Sequence, residues 1–85
     1  IRRTVPRYRF VRLVGRVIHH TGRRLFLVHC DAAQLPRLHS EVTDRRLIPL
    51  GRIVDIFGKV EHPYAAVVSY PGMTPETGTT IFARD

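Results

Sequence analysis

Short runs of β-branched and aromatic residues, separated by glycine and proline, recur along this 85-residue chain. Such runs favour β-strands, and the glycines and prolines between them favour turns. No segment has the three-to-four-residue spacing of a long amphipathic helix. The pattern predicts six strands, at residues 10–20, 25–30, 41–43, 47–57, 64–70 and 79–83. We therefore expect an all-β protein, a small six-stranded antiparallel barrel, because closure removes the exposed edges of a small sheet.

Residues 51–68, GRIVDIFGKVEHPYAAVV, hold two of these runs on either side of Gly58. They predict a strand, a bend at Gly58 and a second strand. Pro63 has no N–H to donate to a ladder, so we expect it at the start of the second strand. The segment is typical of a β-hairpin.

The strand predicted at residues 47–57 has apolar residues on both of its faces. A barrel strand with one wet face should instead alternate apolar and polar side chains. In one interpretation a stripe that includes Ile53 and Phe57 faces outward and suits a protein partner. In the other, a bulge near Gly51 shifts the register and buries more of these side chains. The sequence alone leaves both interpretations open.

Glycine and proline also indicate where the remaining connections lie. Gly15, inside the first predicted strand, indicates a bulge or a close approach of two backbones. Residues 21–23 predict a tight turn, residues 31–40 a turn or loop, and residues 71–78 a surface loop.

Positive charge is concentrated near the N-terminal end, although the whole chain carries +7. Residues 1–24 contain eight arginines and no acid, whereas residues 25–85 contain six basic and seven acidic residues. We expect residues 1–10 to form a basic extended arm and residues 11–85 a single barrel domain. The arm offers candidates for contact with RNA or an acidic partner: Arg2, Arg3, Arg7 and Arg9.

The residue pattern does not indicate catalysis. Consecutive residues of a strand point to opposite faces, which separates His19 from His20 and His29 from Cys30, so no spacing gathers the ligands that zinc requires. No nucleophile stands beside a base, and no glycine-rich loop leads into a helix. No apolar run reaches the roughly 20 residues that cross a membrane. We expect a non-enzymatic protein with no cofactor, metal, membrane span or small-molecule substrate.

The central segment resembles the signature of a known family. Its residues are GRIVDIFG at positions 51–58, followed by Val60, Pro63, Tyr64 and Val67. LVGRV at residues 13–17 and GTTIF at residues 78–82 are similar to the opening and closing strands of the same family. The family is the Gar family, the small β-barrel subunit of H/ACA ribonucleoproteins. One departure is Lys59, which stands where the family usually has proline; lysine frees φ and restores an N–H.

The resemblance implies a barrel of the reductase/translation-factor type that acts in rRNA pseudouridylation and ribosome biogenesis. In such particles a guide RNA selects the uridine and a dyskerin-type pseudouridine synthase supplies the catalytic aspartate. The barrel subunit docks on the synthase and promotes substrate loading and product release, so its contact with the guide RNA is indirect. Because the basic end lacks the Gly-Arg repeats of eukaryotic relatives, we expect an archaeal, cytoplasmic type; a eukaryotic protein would be nucleolar.

Carried over by position, the resemblance implies a synthase-binding face composed of Ile56, Phe57, Gly58, Val60, Pro63 and Tyr64. Aromatic and aliphatic side chains are common anchors of protein interfaces, and glycine permits close backbone approach. The alternative for Phe57 and Tyr64 is that their rings fill the barrel core.

Two other functions stay open at this point. In the first, the barrel binds RNA directly, as barrels of ribosome maturation and translation do, and the arginines of residues 2–24 contact phosphates. Tyr8 and Phe10 give that region only a small surface for base stacking. Alternatively, the chain would be a barrel domain of a larger reductase-like enzyme.

Overall fold

Six antiparallel strands form a closed barrel in the computed structural model, which describes residues 11–22 and 24–84. The strands are β1 (Arg12–Thr21), β2 (Leu25–Cys30), β3 (Glu41–Thr43), β4 (Pro49–Lys59), β5 (His62–Ser69) and β6 (Thr80–Arg84). Their order around the barrel is β1-β2-β5-β4-β3-β6, and every neighbouring pair is antiparallel. The described residues contain no helix. The predicted fold class is confirmed.

The hairpin between β4 and β5 differs from the prediction in one respect. The predicted bend at Gly58 is wrong, because β4 continues through Gly58 to Lys59 and the turn consists of Val60 and Glu61. Gly58 has φ of 101° and pairs with Pro63 across the hairpin. Glycine adopts this φ at little steric cost, so the residue shapes the strand without ending it.

Two bulges in β4 resolve its two-faced apolar pattern. Leu50 is unmatched between the residues that pair with β3, and Val54 is unmatched between the residues that pair with β5. Each extra residue shifts the alternation by one position. As a result Ile53 is fully buried, whereas Val54 is 43% exposed and Phe57 is 42% exposed. The bulge interpretation is confirmed, and the outward stripe predicted to include Ile53 retains only Phe57.

The core consists of one phenylalanine and otherwise of small and medium-sized apolar side chains, drawn from all six strands. Its buried members are Val14, Val17, Phe26, Val28, Cys30, Val42, Leu50, Ile53, Ala65, Val67, Ile81 and Ala83. Strands β1 and β2 approach very closely at Gly15, where a Cβ would lie 1.9 Å from the carbonyl oxygen of His29. The close approach predicted at Gly15 is therefore confirmed, together with a register shift beside it.

The connection between β2 and β3 is a turn and loop, as predicted. The Ala33 N–H donates to the Asp31 carboxylate at 2.9 Å, and no helix follows. Further along, the loop is fixed to β4: the His39 N–H donates to the Ile53 carbonyl at 2.8 Å, and the Ile53 N–H donates to the Ser40 carbonyl at 3.0 Å. These two hydrogen bonds place residues 37–40 beside β4.

The basic arm predicted at residues 1–10 lies outside the described residues, and so do its candidate contacts Arg2, Arg3, Arg7 and Arg9. The proposed role of the arm stays a prediction.

Candidate functional site

Four aromatic rings contact one another on the outer surface of the barrel, near the turn of the β4/β5 hairpin. Phe57 and Tyr64 are cross-strand partners whose ring centroids lie 5.8 Å apart. Tyr64 is also paired with His29 of β2, at 5.2 Å. His62 stacks on His29 at 6.1 Å. We call these four residues the aromatic cluster.

The strand register explains why the cluster lies outside the barrel. Ile56 and Ala65 pair on the inner side, so the next pair along the hairpin, Phe57 and Tyr64, points outward. Gly58 then leaves room for the tyrosine ring, because a Cβ at this position would lie 2.9 Å from Cδ2 of Tyr64. It would also lie 2.7 Å from the His62 carbonyl oxygen. Glycine at position 58 therefore lets Tyr64 lie across the hairpin.

The six residues predicted to bind the synthase differ in exposure. Val60, in the turn, is 87% exposed, and Phe57 and Gly58 are also exposed. Tyr64 is half-buried within the aromatic cluster. Ile56 packs against the core, and Pro63 is buried in the hairpin, so these two leave little surface for a partner.

The alternative in which Phe57 fills the core is wrong, because its ring lies on the outer face. Phe26, with 1% exposure, is the phenylalanine of the core cluster. We define the docking corner as the four predicted residues that present surface: Phe57, Gly58, Val60 and Tyr64. Whether a partner binds there stays a prediction.

Sequence reasoning missed His29 and His62 as neighbours of this corner. His62 belongs to the hairpin itself, just before Tyr64, whereas His29 is distant in sequence and reaches the corner only through the pairing of β2 with β5. A basic residue accompanies each histidine: Arg16 is the cross-strand partner of His29, and Lys59 that of His62. Lys59 is the exposed last residue of β4. The corner therefore combines aromatic surface with positive charge.

An aliphatic surface continues from the aromatic cluster along the outer side of β2 and β5. Leu27 pairs with Ala66, and Leu25 pairs with Val68. All four point away from the core residues that alternate with them, and the two leucines and the valine are only partly buried. An apolar outer face on a small barrel suits contact with another protein surface. We call these four residues the aliphatic face.

The described side chains offer little reactive chemistry. Burial raises the pKa of the Cys30 thiol to about 11, so it stays protonated near neutral pH and is a weak nucleophile. Within residues 11–22 and 24–84, no three His, Cys, Asp or Glu side chains come together as a metal site. The part of the chain that the structure describes also has no helix able to cross a membrane.

The fold and this surface define a class of molecule: a small closed antiparallel β-barrel with an aromatic corner and an adjoining aliphatic face on its outside. No protein-family model matches the chain, and no curated protein matches it.

Proposed function

We propose that this protein is a non-catalytic subunit of an H/ACA guide-RNA ribonucleoprotein, which docks on a dyskerin-type pseudouridine synthase through the docking corner. The observation that carries the proposal is the outward stack of Phe57 on Tyr64 beside the exposed turn residue Val60. The motif at residues 51–58 supports it, and so does the closed six-stranded barrel, which the family resemblance implies.

The exposed area of the corner limits how much affinity the corner supplies alone. Burying Val60 and the exposed part of Phe57 would contribute on the order of 3 kcal/mol. A micromolar complex requires about 8 kcal/mol after the entropic cost of association. The corner therefore acts as an anchor within a larger contact. The adjoining aliphatic face supplies apolar surface on the same side of the barrel.

In this proposal the barrel performs no bond-making step. The guide RNA selects the uridine, the synthase carries out the chemistry, and the barrel promotes substrate loading and product release in rRNA pseudouridylation. Its contact with the guide RNA is indirect. The proposed location is the cytoplasm of an archaeal cell, or the nucleolus if the source is eukaryotic.

The proposal is tested by mixing the purified chain with a dyskerin-type synthase and measuring association by size-exclusion chromatography and titration calorimetry. We expect a one-to-one complex. If the two folded proteins elute separately at micromolar concentrations, the proposed function is wrong.

A pair of serine substitutions tests the position of the contact. Val60→Ser removes an 87% exposed side chain, so we expect weaker docking with the free energy of unfolding nearly unchanged. Leu35→Ser is the matched control, because Leu35 is another exposed aliphatic residue, at 48%, in the loop between β2 and β3. Equal affinities of the two variants for the synthase would place the contact elsewhere.

A further inference from the structure

A cavity of about 460 Å³ lies between the loop at residues 37–40 and the outer faces of β3, β4 and β6. Three arginines line it, Arg37, Arg52 and Arg84, together with one carboxylate, Glu41. These four groups carry a net charge of +2. The cavity shares no lining residue with the docking corner. We call it the arginine cavity.

The strand register places two of the arginines on either side of Glu41. On β3, Glu41 pairs with Arg52 of β4 and with Arg84 of β6. The Arg84 Nη1 donates to Glu41 Oε1 at 2.9 Å, and the Tyr70 hydroxyl donates to Glu41 Oε2 at 2.8 Å. Both carboxylate oxygens are therefore already hydrogen-bonded, and one of the bonds comes from a neutral phenol.

A backbone carbonyl fixes the second guanidinium. Arg52 Nη1 donates to the carbonyl oxygen of His39 at 3.0 Å. His39 has φ of 71°, a left-handed conformation that non-glycine residues seldom adopt. The loop is thus held in an uncommon backbone conformation at the point where its carbonyl accepts the bond from Arg52. Such a contact orients the arginine without neutralising its charge.

The third guanidinium belongs to Arg37. Among the described residues, the side chain of Arg37 has no hydrogen-bond or ion-pair partner. A guanidinium carries five N–H donors in a planar fork that matches the oxygens of phosphate. With three guanidinium groups around one carboxylate whose oxygens are already hydrogen-bonded, the cavity keeps an excess of positive charge.

We propose that the arginine cavity binds a phosphate group of a single-stranded nucleic acid. Its volume is in the range of small-ligand pockets, and one inorganic phosphate fills only a small part of it. Leu38, which is 48% exposed, and the exposed ring of His39 line the same cavity and offer surface for the attached nucleoside. The excess of three arginines over one carboxylate in the cavity favours a polyanion.

The test uses the 85-residue chain alone and a fluorescently labelled single-stranded RNA 12-mer, with binding followed by anisotropy over a range of salt concentrations. Arg37→Gln removes the unpaired guanidinium without breaking a contact that supports the fold. Arg46→Gln is the matched control, because Arg46 is exposed, lies outside the cavity, and its loss changes the net charge by the same amount. Since no synthase is present, failure of the proposed docking leaves this measurement unaffected.

We expect Arg37→Gln to bind the RNA more weakly than Arg46→Gln does. The slope of log affinity against log salt should fall in magnitude by about 0.7 for each lost phosphate contact. Arg37→Lys, which keeps the charge, should retain most of that slope. Equal affinities and slopes for Arg37→Gln and Arg46→Gln would overturn the proposal.

Competition separates the sources of phosphate. We expect unlabelled RNA to displace the labelled strand at far lower concentration than a nucleoside monophosphate or inorganic phosphate does. If a nucleoside monophosphate binds the wild type as tightly as the 12-mer and loses affinity in Arg37→Gln, the cavity is a mononucleotide site and the assignment to a nucleic-acid strand is wrong.

Discussion

Replacing Phe57 by alanine should separate the stability of this barrel from its docking. The ring is 42% exposed on the outer face and stacks on Tyr64 at a centroid distance of 5.8 Å. It is not a member of the buried core cluster. Phe57→Ala therefore removes surface from the docking corner without opening a cavity inside the barrel.

The expected loss of stability follows from what the ring buries. Transfer of a fully buried phenylalanine is worth about 1.5 to 3 kcal/mol, so a ring that is little more than half covered loses roughly 1 to 1.7 kcal/mol. Loss of the aromatic pair adds about 0.5 to 1.5 kcal/mol. We expect the free energy of unfolding to fall by about 1.5 to 3 kcal/mol. Phe26→Ala, at 1% exposure, should cost about 3 to 5 kcal/mol.

The effect of Phe57→Ala on docking should depend instead on the part of the ring that is exposed to a partner. If Phe57 is an anchor, its truncation should weaken the complex with a dyskerin-type synthase by about 1 to 3 kcal/mol, which is roughly 5- to 150-fold in Kd. Phe57→Leu is the control for the ring itself, because leucine keeps apolar bulk and loses the stack on Tyr64. It should bind with intermediate affinity.

Both quantities are measurable on the same samples. The chain has no tryptophan, so unfolding in urea is best followed by far-UV circular dichroism, and docking by titration calorimetry. Full affinity of folded Phe57→Ala for the synthase would remove the ring from the docking surface. A stability loss as large as that of Phe26→Ala would contradict its placement on the outer face.

Three further changes have expected outcomes. Gly51→Ala places a Cβ 2.2 Å from the Val68 carbonyl oxygen and should lower the free energy of unfolding by about 2 kcal/mol or more; an unchanged urea midpoint would refute this. Arg84→Ala breaks the 2.9 Å ion pair with Glu41, which is about three-quarters buried, and should cost roughly 1 kcal/mol by the same assay. The pKa of Cys30 is raised to about 11 from 9.0 by burial, so stability should fall as the pH rises from 9 to 11, because only the unfolded state ionises readily there. Cys30→Ala should reduce that fall, and an identical pH profile would contradict the linkage.

Local chemistry explains which parts of the fold were predictable. The bounds of β2 and β3 match the prediction, because turn residues flank short runs of strand-forming side chains. The close approach at Gly15 was also predictable, since glycine inside a strand often marks one. The order of the strands around the barrel was not predictable, because the pairing of β2 with β5 joins segments that are distant in sequence.

The two bulges of β4 show where a one-dimensional pattern is insufficient. An extra residue exists only relative to a partner strand, so Val54 becomes unmatched once Ile53 pairs with Val67 and Asp55 pairs with Ala66. The sequence showed apolar residues on both faces and left two interpretations. The error at Gly58 has a related cause: glycine often marks the end of a strand, but here it has a positive φ inside a strand that continues to Lys59.

In the candidate sites too, only residues that lie close together in the sequence were predictable as neighbours. Phe57 and Tyr64 were accessible from the sequence, because they are close together in one hairpin motif. His29 joins them only through the register of β2 with β5. The arginine cavity depends on β3 lying between β4 and β6, which places Arg52 and Arg84 beside the same carboxylate. Contacts across strands from distant segments leave no local signature.

Strand β4 carries both proposed surfaces, with Arg52 in the arginine cavity and Phe57 at the docking corner. Phe57 is five positions after Arg52 along this strand, a span of roughly 16 Å at about 3.3 Å per residue. Substitutions more than about 10 Å apart without shared partners usually have additive effects. We therefore expect Arg37→Gln to leave synthase docking unchanged and Phe57→Ala to leave RNA affinity unchanged. Because the sites share no side chain, one barrel would hold a protein at its corner and a phosphate in its cavity at the same time.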